Sequence, residues 1–299
     1  LYAAKVIDYP LGHGTNPHTL RTILTYFEGD YPTALAAGET ALQTSQQRGD
    51  KRSELRTLQI LSSILIALGD YEQAYVSAQR GYEMALSIGD LAYAANCISS
   101  MGTATRSIGK VEQALYYYEE AYRMRKIFGN PYGIALALFT LGNANHEMAD
   151  DEQALSYLYE SASIYRELHD ERRLAGVLQS IGDVFTTTAQ YHEARTCYLE
   201  VLDIVTAINM PPQILWALTS VGKWLLAVGN KEAAVELLQF VVTHPAVLRT
   251  QRDIAQKALR EVPEAQSGSE QSSDHTPQTA AAFARRAVEG VTLTVPTAS

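Results

Sequence analysis

The amino-acid sequence predicts an all-α fold, a right-handed superhelical solenoid of antiparallel helix pairs, and three observations carry that reading. The chain matches itself in a 40-residue register from Gly29 to Val242 without a gap. Each copy holds two stripes of apolar residues at spacings of three and four, the period of a helix with one buried face. Gly-Asp and Gly-Asn corners separate the stripes. Over 299 residues, 46% hydrophobic and 19% charged side chains supply a large buried core. Because each repeat packs only on its neighbours, length alone does not imply two globular domains.

The matching stretches start at Gly29, Gly69, Gly109, Ala149, Ala189 and Gly229. Ala34, Ala74, Ala114, Ala154, Ala194 and Ala234 share one phase. A small residue fixed there implies a crossing too tight for a longer side chain. Gly102, Gly142, Gly182 and Gly222 share a second phase, with Ser62 in the earlier copy. Since Gly weakens a helix, its recurrence implies close packing. Tyr71, Ala74, Tyr75, Ala78, Gly81, Tyr82 and Ala85 form one apolar face, and Asp70 with Gln73 and Asp150 with Gln153 have capping-box spacing at helix starts. The first helices of the pairs are expected at 51–68, 91–108, 131–148, 171–188 and 211–228, with Pro131, Pro211 and Pro212 suited to a first turn. The second helices should begin about two residues after each.

Leu138, Leu141, Gly142, Ala154 and Leu158, and in another copy Ile98, Met101, Gly102, Gly109, Ala114 and Tyr118, fill a pattern that resembles the tetratricopeptide repeat. Its usual length is 34 residues, so the six extra imply longer helices. Similar 40-residue arrays end many bacterial signal-transduction ATPases and transcriptional regulators, and the stretch 236–262 resembles their closing segment. The expected organisation is a linker or repeat remnant over 1–16, six helix pairs over 17–244, a capping helix over 245–262, and a largely disordered tail over 263–299 with a short helix near 279–288. A first residue of Leu1 suggests a piece of a longer polypeptide.

The composition disfavours several functions. A formal charge of −9 with scattered Lys and Arg argues against nucleic-acid and anionic-membrane surfaces, and Arg48, Lys51, Arg52 and Arg56 read as a solvated corner. No window approaches a membrane span, no secretory signal opens the chain, and two cysteines without a CxxC fit a cytoplasmic setting. No P-loop is present, and LGHGTN at 11–16 reads as a turn. His146-Glu147 begins like a zinc-protease motif, but the required second His is Asp150. Cys97 and Cys197 read as small buried hydrophobes. Neither a catalytic residue, a metal nor a cofactor is expected, and the chain is read as a non-enzyme.

Three consecutive tyrosines, Tyr116, Tyr117 and Tyr118, fan over about 200° of helix, so Tyr118 is expected to pack while Tyr116 or Tyr117 faces outward. Projection of the first helices gives a concave row of Asn96, Ser99, Thr103 and Arg106, then Phe139, Asn143 and His146, then Gln179, Asp183 and Thr186, then Lys223. Small polar residues with one aromatic suit hydrogen bonding to an extended peptide, with Arg106 and Lys223 available to carboxylates and Asp183 to a basic group. The alternative is an ordinary solvated face. The resemblance places Asn143 where peptide-binding members hold a backbone-clamping Asn. Phe139, Ser180, Trp216 and Ser220 stand where the family's two-carboxylate clamp has Lys, Asn and Arg, which disfavours a chaperone-tail adaptor. The expected function is a protein- or peptide-binding arm of a multidomain signalling ATPase. The rival readings are a self-standing scaffold or peptide receptor and, more weakly, a hydrolase.

Overall fold

The computed structural model describes Thr22 and residues 30–247, 249–262 and 276–293. The expectations for 1–16, for 263–275 and for most of the helix preceding Gly29 lie outside them. Among the described residues there are thirteen helices and no strand. The chain divides into two compact units, residues 1–148 and 149–299. The first holds α1 (Tyr31–Gln47), α2 (Lys51–Leu68), α3 (Tyr71–Ser87), α4 (Leu91–Ser107), α5 (Val111–Phe128) and α6 (Pro131–Glu147). The second holds α7 (Asp151–Glu167), α8 (Glu171–Thr187), α9 (Tyr191–Ile208), α10 (Pro211–Ala227), α11 (Lys231–Thr243), α12 (Arg249–Arg260) and α13 (Pro277–Gly290).

Helix punctuation repeats every 20 residues. Gly49, Gly69, Gly89, Gly109, Gly129 and Gly229 have positive φ, and Ala149, His169, Ala189 and Asn209 occupy the same phase. In each case the following residue starts a new helix as its N-cap. Left-handed geometry reverses the chain while preserving backbone bonding, as in Asp70 N–H to Leu65 C=O at 2.9 Å. Asp50, Asp70, Asp90, Asn130, Asp150, Asp170 and Asn230 each accept the backbone N–H three residues on. Hydrogen bonds from Ser53 hold the Asp50 carboxyl below its ordinary value.

From α1 to α6 and from α7 to α12 each helix packs on the next, and first helices also touch one another, α2 on α4, α8 on α10 and α10 on α12. All six phase-locked alanines are fully buried. At the second phase, a Cβ on Gly102 would lie 2.6 Å from the Tyr118 ring and one on Gly182 would lie 2.7 Å from the Tyr198 ring. Glycine is therefore required by an aromatic ring seated on the helix backbone. Ser62 takes the same place in the earlier copy and donates to the Ala74 carbonyl at 3.0 Å. Tyr118 is buried and Tyr116 exposed, while half-buried Tyr117 shares a 2.9 Å hydrogen bond with Tyr75.

Two elements differ from a simple repeat. Helix α12 rests on α11 and α10. Helix α13 runs a turn longer than the sequence suggests and packs across α9, α10 and α11, with Ala280, Ala281, Ala284 and Val288 buried.

Backbone and packing effects separate experimentally. Gly109→Ala has open space around the new methyl, so the left-handed backbone alone should cost about 1–2 kcal/mol in urea melts. Ala189→Gly, the converse at the same phase, should stabilise by about 0.5–1 kcal/mol. Gly102→Ala, with helical backbone and a ring in the way, should destabilise by about 1–3 kcal/mol through overpacking.

Candidate functional site

In the first unit, the first-helix face carries half-buried residues, polar apart from one phenylalanine, at spacings of three and four. Asn96, Ser99, Thr103 and Arg106 lie along α4, and Phe139, Asn143 and His146 lie along α6. The same register on α2 holds half-buried Arg56, Gln59 and Ser63, which extend the row by one copy beyond the residues expected from the sequence. Arg56 also leaves the solvated corner assigned to it, because its Nε donates to the Tyr93 hydroxyl at 3.1 Å.

Much of this row is positioned by the second helices. Buried Arg125 of α5 donates to Asn96 Oδ1 at 3.1 Å, and Tyr118 donates to Thr103 at 3.3 Å. Burial raises the Tyr118 pKa, so the hydroxyl remains a donor at neutral pH. Arg106 reaches Glu147 at 3.3 Å, with both side chains partly exposed. Such a pair contributes only about 0–1 kcal/mol and yields readily to a competing carboxylate. The Asn143 amide makes no side-chain hydrogen bond among the described residues and sits one helical turn from half-buried Phe139.

The second unit arranges its row differently. Asp183 accepts from Tyr198 at 2.9 Å through Oδ1 and from Ser220 at 3.2 Å through Oδ2. Gln179 donates to the Ser220 oxygen at 2.9 Å, and Thr186 shares a 2.9 Å hydrogen bond with Tyr198. Burial, followed by the Asp183 charge, pushes the Tyr198 pKa well above normal. The residues expected to greet a ligand thus bind one another across α8, α9 and α10. The sequence signal was present in the Gly182–Tyr198 pairing, which seats the phenol beside Asp183. Lys223 is half-buried on the same helix as Ser220.

The thiols are chemically quiet. Cys97 is fully buried and pushed up to about 12, and Cys197 is pushed up to about 11, in both cases chiefly by burial. Both are therefore protonated at neutral pH and poor nucleophiles. Among the described residues no cluster of His, Cys, Asp and Glu is arranged to hold a metal, and no helix is long and apolar enough to cross a membrane.

Comparison with known proteins places this architecture. The tetratricopeptide repeat model matches residues 90–167 and 133–207, so the chain carries tetratricopeptide repeats there. No curated protein sequence matches it. Among solved structures it is similar to a Rap protein complexed with competence and sporulation factor, at TM-score 0.71 and 14% identity over 91% of this chain and 73% of that one. It is also similar to the Rap conjugation gene regulator of plasmid pLS20 in complex with the Phr* peptide, at TM-score 0.61 and 16% identity over 90% and 69%. A third likeness is to a signal transduction ATPase with numerous domains from Pyrococcus horikoshii, which has a tetratricopeptide repeat sensor. There the TM-score is 0.56 and the identity 15%, and this chain spans 91% of its own length but 38% of the ATPase. At these identities the likeness is one of fold, an α-solenoid of tetratricopeptide type.

The Asp183 network makes a testable demand on stability. Asp183→Ala removes the acceptor for two hydroxyls and should destabilise the second unit by about 1–3 kcal/mol. Asp183→Asn keeps an acceptor oxygen and should lose less. Urea melts of both variants check the ordering.

Proposed function

We propose that the chain is a non-catalytic receptor for an extended peptide or protein segment, bound on the first-helix face of the first unit. The observation that carries this reading is the pairing of an uncommitted Asn143 amide with half-buried Phe139 on a face where Asn96 and Thr103 are already held in place. An amide presents a donor and an acceptor together, which matches a peptide backbone, and a neighbouring aromatic takes an apolar side chain. Arg106, already paired with an exposed carboxylate, suits an acidic residue or a C-terminal carboxylate on the ligand. Two Rap proteins with similar folds were solved with bound peptides or factors, which supports peptide recognition by this architecture.

We further propose that this receptor is the sensor or interaction arm of a multidomain bacterial signalling ATPase working in the cytoplasm. The fold likeness to the sensor-bearing ATPase supports it. A P-loop ATPase domain in the full reading frame is the expected finding. A frame encoding repeats alone would favour the self-standing receptor instead.

Selection from a displayed library of random peptides, followed by calorimetry, tests the binding reading. Asn143→Ala should weaken a selected peptide about 2- to 12-fold, the worth of one net hydrogen bond, with no change in melting temperature. Glu119→Ala, on the exposed side of α5, should have no effect. If no peptide is enriched, or if affinity falls only in the Glu119 variant, the assignment is wrong.

A further inference from the structure

The 40-residue register places the same groove more than once on the second-helix side of the second unit, and in one copy the chain itself shows what fits it. Helix α13 lies across α9, α10 and α11 with Ala280, Ala281, Ala284 and Val288 buried. Its Arg285 pairs with Asp203 of α9, and Arg195 of α9 donates to the carbonyls of Glu289 at 2.6 Å and Val291 at 3.4 Å near its end. One repeat earlier, α7, α8 and α9 enclose an open cavity of about 360 Å³. Ser163 on its wall is the register mate of Asp203, and Leu178 and Phe185 on its floor are the mates of Leu218 and Leu225. On the other wall Cys197 and Glu200 correspond to Leu237 and Phe240 of α11, which are buried where their earlier counterparts are not.

We propose that the α7–α8–α9 groove is a docking site for a short amphipathic helix of a partner protein, with alanine on its buried face and arginine or lysine on its flank. The alanine face follows from the sister groove, where α13 comes close only because its buried positions are small. The basic flank follows from Glu193 and Glu200 on the rim. Glu200 is met at 2.7 Å by Arg166, but both side chains are about half exposed, a weak surface pair that an incoming cation can replace. Tyr159, 52% exposed on the opposite wall, supplies an aromatic edge left unburied by the chain itself. Leu178 and Phe185 face away from Gln179 and Asp183 on α8, so this site is separate from the peptide face and does not depend on it.

The probe is a synthetic peptide of residues 276–292, whose sequence has the required face and two arginines. It is titrated into the intact protein while alkylation of Cys197 is followed by mass spectrometry, fully buried Cys97 serving as an internal reference. Saturable binding should slow Cys197 alkylation about ten-fold, and Thr196→Trp or Ser163→Trp, each filling the groove from an exposed position, should weaken it by at least about ten-fold. A peptide with Ala284→Glu should not bind. Circular dichroism confirms that each protein variant is folded, and either one suffices. Binding that leaves Cys197 unprotected and is indifferent to both variants would mean exchange with α13 in its own groove, and would overturn the proposal. Cys197 protection that grows with protein concentration in the absence of peptide would assign the groove to a second copy and overturn it equally. Absence of binding overturns it outright.

Discussion

Everything in this molecule depends on how closely two helices approach at the repeated crossing. The fully buried alanines set one side of that approach, and the glycines beneath Tyr118 and Tyr198 set the other. A ring resting on a glycine leaves no clearance for a methyl group, so the distance between the helices of a pair is fixed by excluded volume. That distance also carries the phenol hydroxyl through the layer. Tyr118 emerges beside Thr103 and Tyr198 beside Asp183, so a packing device in the second helix becomes a hydrogen-bond donor on the first-helix face.

The two units use this device to different ends. In the second, the hydroxyl meets a carboxylate that also holds Ser220, and Gln179 and Thr186 join the same group. A network satisfied in this way stiffens the junction of three helices and has little hydrogen-bonding capacity left for a ligand. In the first unit the corresponding hydroxyl meets Thr103, while Arg125 rises from the core to hold Asn96. The row there is oriented without being consumed. Pre-positioned polar groups of this kind lower the entropic cost of ligand binding, because the side chains need not be ordered anew.

The helices were legible because their ends are written in residues with one physical purpose each. A left-handed glycine followed by an aspartate or asparagine cap recurs in the sequence, and the first-helix positions fall within about one residue of those expected. Where Ala149, His169, Ala189 and Asn209 replace glycine the corner persists, since tertiary packing outweighs a local backbone cost of about 1–2 kcal/mol. Helical projection could not show the internal pairing of Asp183, because it reports which face a residue occupies and not which neighbour takes its hydrogen bonds; the Gly182–Tyr198 pairing was the one signal that pointed to it. The docking of α13 was hidden for a related reason. Its alanines favour a helix, as expected near 279–288, but say nothing of where it packs, and only the positions of Asp203 and Arg195, some ninety residues earlier, give that helix a destination.

The same repeat therefore yields two kinds of surface from one sequence period. Positions facing the first-helix side are small and polar, so their differences from copy to copy change hydrogen bonding while leaving the packing intact. Positions facing the grooves between second helices are larger and more apolar, with Tyr75, Tyr82, Tyr117 and Met124 gathered in the first unit and Tyr159, Leu178 and Phe185 in the second. A packed helix can change one face without disturbing the other, because residues on opposite sides share no contacts and their energetic effects add. Such independence lets a solenoid alter its polar face for one ligand while its grooves keep the dimensions that a helix requires.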